Sequence, residues 1–286
     1  MTDRVLGILG VGLTDPAAPV LRADDLGVLR GDGCFETIRV VDAGTGQLDS
    51  LDAHLARLTG SAARLDLPAP DLAAWRTLIG EVLAAWGQPG EAVLRLVLTR
   101  GPEGLGEASR PTGYALVSPV SAHIARHRRD GVKVVTLSRG MPADATSGAP
   151  WLLAGVKTIS YALNMAALRH AESLGADDAI FVSTDGLVLE GPTASVLWSA
   201  GGVLHTPPAD PLGLLDGTTV RRLSDRLGPA GPPVEIRTGT VTDLHAADGV
   251  WLVSSIRLVV EVVEIDGVPR RAPAGLTARL RAAAGG

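Results

Sequence analysis

The sequence predicts a mixed α/β or α+β fold. Apolar and β-branched runs alternate with segments of helical periodicity along the whole chain. With 286 residues and 46% hydrophobic content, the chain is long enough for one large or two medium domains, each with its own core. The alternation argues against an all-helical bundle and against a simple sandwich.

In the first part of the chain, the periodicity predicts a strand, two helices and two further strands. These lie in order at residues 34–41, 51–65, 72–86, 92–99 and 114–117. A polar stretch from His123 to Asp130 follows. We therefore predict an N-terminal α/β domain over residues 1–120, a connector over 121–130 and a C-terminal domain over 131–286.

The C-terminal part repeats the alternation with shorter elements. We expect a strand at 132–137, a helix at 158–174, short strands at 179–183, 187–189 and 195–199, and a turn at 207–213. A helix starting near 217, strands at 234–237, 250–253 and 259–265, and a terminal helix at 277–284 complete the prediction. The predicted elements of the two parts therefore indicate two α/β units.

Composition excludes several classes of protein. The net charge of -5 argues against general nucleic-acid binding, and no apolar run approaches the roughly 18 residues of a membrane span. The N-terminus lacks a signal-peptide layout, and Cys34 is the only cysteine. His123 and His127 lie four residues apart but without an acidic ligand pattern, so no metal site is predicted. We expect a cytoplasmic enzyme or binding protein whose partner is a small molecule.

Lysine is rare in this chain, with two lysines against 24 arginines. Arginine cannot replace lysine where chemistry needs a neutral amine, because a guanidinium does not deprotonate in a protein. Lys157 directly precedes the predicted helix 158–174, where the positive end of the helix dipole would disfavour the ammonium form. Such a lysine suits Schiff-base chemistry, and a surface helix lysine is the alternative interpretation.

Pyridoxal phosphate would need a carboxylate for its pyridine nitrogen and a cradle for its phosphate. Glu190 follows the predicted strand 187–189 and could reach the ring nitrogen, or it could be a solvated turn residue. Thr218 and Thr219 follow Gly217 at a predicted helix start, where free N–H groups attract phosphate. The alternative is an ordinary capped helix with Asp216 or Thr218 as the cap.

Other polar residues could serve the same phosphate. Ser254 and Ser255 follow the predicted strand 250–253, and both offer hydroxyl and amide donors. Arg57, on the predicted helix 51–65, could supply the counter-charge.

In their order and context, these residues resemble the class IV aminotransferase family, the fold-type IV pyridoxal phosphate enzymes. The matching segments begin with Gly-Asp-Gly-Cys-Phe-Glu-Thr-Ile-Arg at 31–39 and continue at 54–58, 99–101, 157–161, 190–191, 205–207, 213–219 and 254–255. The resemblance therefore spans almost the whole chain. It implies the two-domain fold-type IV architecture, pyridoxal 5'-phosphate as cofactor and a homodimer.

The resemblance also implies roles for single residues. Lys157 matches the Schiff-base lysine, Glu190 the partner of the pyridine nitrogen and Arg57 a phosphate ligand. Further phosphate-binding positions match Thr218, Thr219 and Ser255. Tyr161 is a candidate neighbour of the cofactor's phenolic oxygen, with packing inside the helix as the alternative.

Within the family, segment 31–37 looks most like the 4-amino-4-deoxychorismate lyase branch, which forms 4-aminobenzoate and pyruvate for folate synthesis. Phe35 stands where D-amino acid transaminases tend to carry Tyr, which favours the lyase. Branched-chain transaminases fit less well, since their usual Gly-Thr-Ala is Ser-Ser-Ile at 254–256. A D-amino acid or branched-chain-type aminotransferase is the alternative function, and a non-catalytic family member is a further one.

The substrate carboxylate needs a cationic partner. Arg100 is the candidate, with Arg110 and Arg257 as alternatives, and a solvent-facing role is open for each in a chain so rich in arginine.

Overall fold

A computed structural model describes residues 4–104, 110–228 and 231–286. The chain forms two compact units, one of Met1–Ser121 with Val156–Tyr161 and the other of Ala122–Gly155 with Ala162–Gly286. Each unit contains a sheet with helices, so the mixed α/β fold class is confirmed. Among the described helices, none is both long and apolar enough to cross a bilayer.

The first unit is built on an antiparallel sheet. Its elements are β1 Val5–Ile8, β2 Gly12–Thr14, α1 Leu26–Arg30, β3 Gly33–Asp42, β4 Gln47–Leu48, α2 Leu51–Arg64, α3 Leu72–Trp86, β5 Ala92–Thr99 and β6 Thr112–Pro119. The strand order is β2-β1-β6-β5-β3-β4. Helix α2 packs on β3, and α3 packs on β1 and β6.

The helices of the first unit form where apolar residues recur on one face. Leu55, Leu58 and Ala62 of α2 are fully buried, at the spacing of three and four residues that keeps them on one side. The Asp71 side chain caps α3 by accepting hydrogen bonds from the N–H groups of Ala73 and Ala74. The buried face of α2 holds this helix against β3. These two elements carry several residues of the candidate site.

The second unit has a mixed sheet. Its elements are α4 Ala122–Asp130, β7 Val132–Ser138, a 3-10 turn at Pro150–Leu152, α5 Ala162–Ser173, β8 Asp178–Val182, β9 Ser195–Ala200, β10 Val203–Thr206, α6 Ala209–Leu212, α7 Thr218–Leu227, β11 Val234–Ile236, α8 Val241–Ala246, β12 Gly249–Ser254, β13 Leu258–Ile265, β14 Val268–Pro269 and α9 Leu276–Ala283. The order is β11-β10-β9-β12-β13-β7-β8, and β14 pairs with β13.

The central strands of this sheet are buried on both faces. On β9, Trp198 belongs to one apolar cluster with Val250, whereas its neighbour Leu197 belongs to another with Trp251. Successive side chains of a strand point to opposite faces, so both faces must be covered. This explains why the strands are nearly continuous apolar runs in the sequence.

The segment around Lys157 differs from the prediction. The predicted helix 158–174 begins only at Ala162, and Lys157 lies before it in an irregular segment. Thr158 forms a bridge with Cys34, and the N–H of Ile159 donates to the carbonyl of Gly33 at 3.0 Å. Pairing with β3 therefore overrides the helical pattern. This segment groups with the first unit, whereas the prediction placed it in the C-terminal domain of residues 131–286.

Two other segments also differ from the prediction. Residues 122–130, predicted as a connector, form α4, which packs on β13 of the second unit. The predicted turn at 207–213 contains the short helix α6.

A side chain at Gly33 of β3 would meet the backbone of β5. A Cβ atom at this position would lie 2.5 Å from the carbonyl oxygen of Leu98 and 2.9 Å from Cα of Thr99. Both are backbone atoms, so relief requires movement of β5. We expect Gly33→Ala to lower the free energy of unfolding by about 1–3 kcal/mol, as overpacking does, measured by urea denaturation.

The matched control is Gly60→Ala on α2. Nothing lies within 4 Å of a Cβ atom there, and Ala is favoured over Gly inside a helix by about 0.5–1 kcal/mol. A Gly33→Ala protein as stable as wild type would show that the approach of the two strands is not tight.

Candidate active site

The backbone of Lys157 is anchored on both β3 and α2. Its carbonyl accepts a hydrogen bond from the N–H of Phe35 at 3.0 Å. Its own N–H donates to Oγ of Ser61 at 3.3 Å. The lysine therefore projects from a segment fixed at two points, which limits where its amine can lie.

Two aromatic rings flank the amine of Lys157. The Nζ atom lies 4.4 Å from the ring centre of Phe35 and 5.6 Å from that of Tyr161. Nζ is also 3.4 Å from the Tyr161 hydroxyl, and the two rings meet edge to face with centres 5.1 Å apart. The structure thus brings together three residues that the sequence singled out.

The predicted effect of a helix dipole on Lys157 is wrong. Helix α5 begins at Ala162, and the dipole acts only within about the first turn. Tyr161 likewise precedes the helix and does not pack within it.

Arg57 lies in a buried ionic cluster with Glu36 and His54. Its Nε and Nη2 atoms each donate to one carboxylate oxygen of Glu36 at 2.7 Å, a bidentate pair. Nδ1 of His54 lies 2.7 Å from Oε2 of Glu36. An ionised carboxylate only accepts hydrogen bonds, so Nδ1 carries the proton.

Charge balance explains how Glu36 is tolerated with none of its surface exposed. Burial raises the pKa of its carboxyl, but the hydrogen bonds from Arg57 and His54 outweigh burial and hold that pKa below its usual value. The guanidinium of Arg57 is consequently held in one orientation. On α2, Arg57 and Ser61 are four residues apart and share a face.

Arg100 is engaged within the first unit. All three of its nitrogens donate: Nε to Asp32 at 2.6 Å, Nη1 to the carbonyl of Asp66 at 3.2 Å, and Nη2 to both Asp32 and the carbonyl of Leu65. This geometry ties the start of β3 to the end of α2. These contacts occupy most of the donors that binding a substrate carboxylate would need, and the predicted role of Arg100 in that binding stays a prediction.

The two alternatives to Arg100 lie in opposite environments. Arg257 is 6% exposed and forms an ion pair with the buried Asp178. A substrate cannot reach an arginine already neutralised in this way. Arg110 is exposed.

Glu190 lies in the second unit, just after the bridging residues Leu187 and Val188. Its backbone carbonyl accepts from the N–H of Phe181 at 2.9 Å, which fixes the residue beside β8. Its Oε2 atom accepts from the N–H of Leu215 at 3.3 Å. The carboxylate therefore contacts the segment that leads into α7.

The start of α7 has the features of an anion site. Its N-cap is Gly217, which has no side chain that could cap the helix. Asp216 instead pairs with Arg221, so the predicted alternative of an ordinary cap by Asp216 or Thr218 does not hold. Thr218 and Thr219 are buried in the first turn. Hydroxyl and N–H donors at a helix start fit a phosphate group.

The two serines lie at the β12–β13 connection of the same unit. Ser254 ends β12 and Ser255 opens the turn, and both are half-buried. Each hydroxyl can donate to an anion, so these residues fit the phosphate of the predicted cofactor.

Cys34 lies on β3 of the first unit. Burial raises the pKa of its thiol to about 12, which keeps the thiol protonated.

Sequence reasoning missed Glu36, His54 and Ser61. A glutamate inside a strand of apolar residues needs a buried partner, and that was a usable signal. His54 and Arg57, three residues apart on one helix face, were the partners to look for.

Comparison with known proteins identifies the family of this chain. A family model described as "Amino-transferase class IV" matches residues 33–265. The chain is 45% identical over 271 residues to the bifunctional aminodeoxychorismate lyase / D-amino acid transaminase of Mycobacterium tuberculosis, covering 91% of this chain and 90% of that protein.

Solved structures give the same result. A hypothetical aminotransferase from Mycobacterium tuberculosis in its PLP-bound form superposes with a TM-score of 0.91, 44% identity and 98% coverage of each chain. A fold IV-transaminase from Curtobacterium pusillum has a TM-score of 0.91 at 43% identity, again with 98% of each chain covered.

The chain belongs to the class IV aminotransferase family. Enzymes of this family depend on pyridoxal 5'-phosphate, so the predicted family and cofactor are confirmed. Lyase and transaminase names both occur among its relatives.

Proposed function

We propose that this enzyme is a 4-amino-4-deoxychorismate lyase that forms 4-aminobenzoate and pyruvate. The observation that carries the proposal is Phe35, whose ring lies 4.4 Å from the amine of Lys157. Position 35 therefore borders the reacting group, and it offers a ring without the hydroxyl that D-amino acid transaminases tend to have there. An apolar neighbour suits a substrate whose ring becomes aromatic.

Lys157 has the central role in the proposed reaction. As a base, its amine removes the proton from the substrate carbon that bears the amino group. The bond between the adjacent carbon and the enolpyruvyl oxygen then breaks with its electron pair on that oxygen, and the electrons of the former C–H bond form the ring double bond that makes the ring aromatic. The enolate that leaves takes up a proton at its methylene carbon, from the Lys157 ammonium or from water, and becomes pyruvate. Bound pyridoxal phosphate supplies an acceptor for the negative charge that develops at the substrate carbon.

The remaining residues would hold the cofactor and orient the amine of Lys157. Glu190 would keep the pyridine nitrogen protonated, and Arg57 would contact the phosphate with its guanidinium fixed by Glu36. The other phosphate contacts would come from Thr218, Thr219, Ser254 and Ser255. Tyr161, at 3.4 Å from Nζ, would orient the amine.

D-amino acid transamination is the second candidate, because the Mycobacterium tuberculosis relative is named for both activities. The same base and the same proton removal serve both reactions. They differ in where the proton returns, which the groups around the substrate decide. We further propose a cytoplasmic homodimer, on the family resemblance alone.

The direct test is to incubate the purified holoenzyme with 4-amino-4-deoxychorismate and to measure 4-aminobenzoate by fluorescence and pyruvate by a coupled assay. Equal amounts of the two products would support the lyase. In parallel, D-alanine with 2-oxoglutarate tests transamination. Bound cofactor with transamination and no 4-aminobenzoate would replace the first function by the second, and a protein that binds no cofactor would refute both.

Phe35→Tyr tests the observation that carries the proposal. The added hydroxyl would lie beside the Lys157 amine and could donate to an amino acid carboxylate. We expect the ratio of lyase to D-alanine transaminase activity to fall by on the order of 10-fold, a typical effect of one hydrogen-bonding group on substrate choice. Both activities are measured on one preparation, so partial unfolding cancels in the ratio. An unchanged ratio would mean that position 35 does not select the reaction.

A further inference from the structure

Arg257 is a buried cation in the second unit with no role assigned so far. It ends the turn of residues 255–257 that joins β12 to β13 and lies two residues after Ser255. Its Nη1 atom pairs with Asp178, which is 1% exposed, and its Nη2 donates to Oγ1 of Thr193 at 2.9 Å. One guanidinium thus links the turn to two other parts of the unit.

The partner Thr193 belongs to the loop that begins at Glu190. This loop is closed by a hydrogen bond from the N–H of Gly191 to the carbonyl of Ala194 at 2.7 Å. On another side, Nδ2 of Asn164 donates to the carbonyl of Pro192 at 2.7 Å. The loop behind Glu190 is therefore held at two points, one of which is Arg257.

The turn that carries Ser255 is held equally firmly. Leu258, the residue after Arg257, adopts a φ of 60° although it has a side chain, a conformation that L-residues avoid. It is 1% exposed, so its burial holds this backbone in place. Nη2 of Arg128 donates to the carbonyl of Ile256 within the turn. The backbone around Ser255 is thus set by its surroundings.

We propose that Arg257 is a positioning residue that fixes the spacing between the Glu190 loop and the Ser254–Ser255 turn. This inference rests on the proposed roles of Glu190 at the pyridine nitrogen and of the two serines at the phosphate. The planar guanidinium binds Asp178 and Thr193 in fixed directions at once, which an ammonium group cannot do. Its loss would let the two groups of cofactor contacts drift apart.

The test measures binding of pyridoxamine 5'-phosphate to the apoprotein by fluorescence titration. This ligand cannot bond covalently to Lys157, so its affinity reports only the surrounding contacts. We expect Arg257→Met to weaken binding by about 10-fold to 100-fold, since misplacement by an ångström has effects of this size. Arg257→Lys should recover little of the loss. Arg271→Met, at an exposed arginine of the same unit, is the matched control and should bind as wild type.

A second set of variants separates positioning from stability. In the Asp178→Asn/Arg257→Met double variant no buried charge is left unpaired, so the urea midpoint should return toward wild type while binding stays weak. Thr193→Val keeps the ion pair of Arg257 with Asp178 and should weaken ligand binding severalfold with little change in the urea midpoint. This variant replaces Arg257→Met as the test if Arg257→Met does not fold.

The pH dependence of absorbance of the bound cofactor should also shift in the variants, because it reports protonation near Glu190. Two outcomes would overturn this inference alone. In the first, the affinity of the double variant for the ligand recovers together with its urea midpoint. In the second, the Thr193→Val and Arg257→Met proteins bind the ligand as tightly as wild type. A wild-type apoprotein that does not bind the ligand would overturn the proposed function and this inference with it.

Discussion

Lys157→Ala should abolish turnover. The variant loses the amine that we propose as the base, and we expect the rate of pyruvate release to fall on the order of 10⁴-fold, the upper range for removal of a general base. The Phe35 and Tyr161 rings, which lie 5.1 Å apart, should remain in place because the backbone of residue 157 is anchored by its own N–H and carbonyl groups. Loss of activity without loss of stability is therefore the expected result.

The chain offers an unusually clean control, since Lys133 is its only other lysine. Lys133 is half-exposed and its Nζ lies 3.2 Å from Glu264, a surface pair that contributes little. Lys133→Ala should keep full activity. Borohydride reduction should attach the cofactor to the peptide that contains residue 157 in this control and in wild type, but not in Lys157→Ala. A label on Lys133, or an active Lys157→Ala protein, would refute the assignment.

The longer elements could be predicted from the sequence because local pattern and tertiary packing agree there. The predicted helix 72–86 and strand 92–99 match α3 and β5 to the residue. The predicted helix 158–174 starts four residues too early, because the main chain of Thr158 and Ile159 pairs with β3 instead. No periodicity within a segment reveals that a distant strand will accept it.

The candidate site shows the same limit. Lys157, Phe35 and Tyr161 could be found from the sequence, since family context and rarity single them out. The partners of Arg57 and Arg100 could not, because arginine side chains look alike until the acceptors around them are known. Arg100 meets Asp32 and two carbonyls, and Arg257 meets a buried aspartate. Only the fold shows which acceptors each of these arginines meets.

Glu36→Gln should be the most destabilising of the conservative substitutions in the first unit. It removes the charge that neutralises Arg57 and that accepts a hydrogen bond from His54, where Glu36 has no exposed surface. Breaking a buried ion pair costs about 3–5 kcal/mol in the free energy of unfolding. Urea denaturation at neutral pH measures this, and Glu81→Gln, at an exposed glutamate of α3, should change stability by less than about 0.5 kcal/mol.

The pH dependence gives an independent check on the same residue. The pKa of the Glu36 carboxyl is lower in the folded protein than its ordinary value of 4.5, mainly through the hydrogen bonds from Arg57 and His54 that oppose burial. Its stabilising effect is therefore complete above pH 4.5 and is lost as the pH falls toward the folded pKa, because the unfolded chain takes up the proton first.

Wild type should consequently lose stability more steeply than Glu36→Gln as the pH falls below 4.5, and the two stabilities should converge in acid. Parallel curves would show that Glu36 does not carry its charge in the folded protein. Because the same carboxylate orients Arg57, the variant should also bind pyridoxamine 5'-phosphate more weakly at neutral pH. This would link the stability of the α2–β3 packing to the cofactor contact that Arg57 is proposed to make.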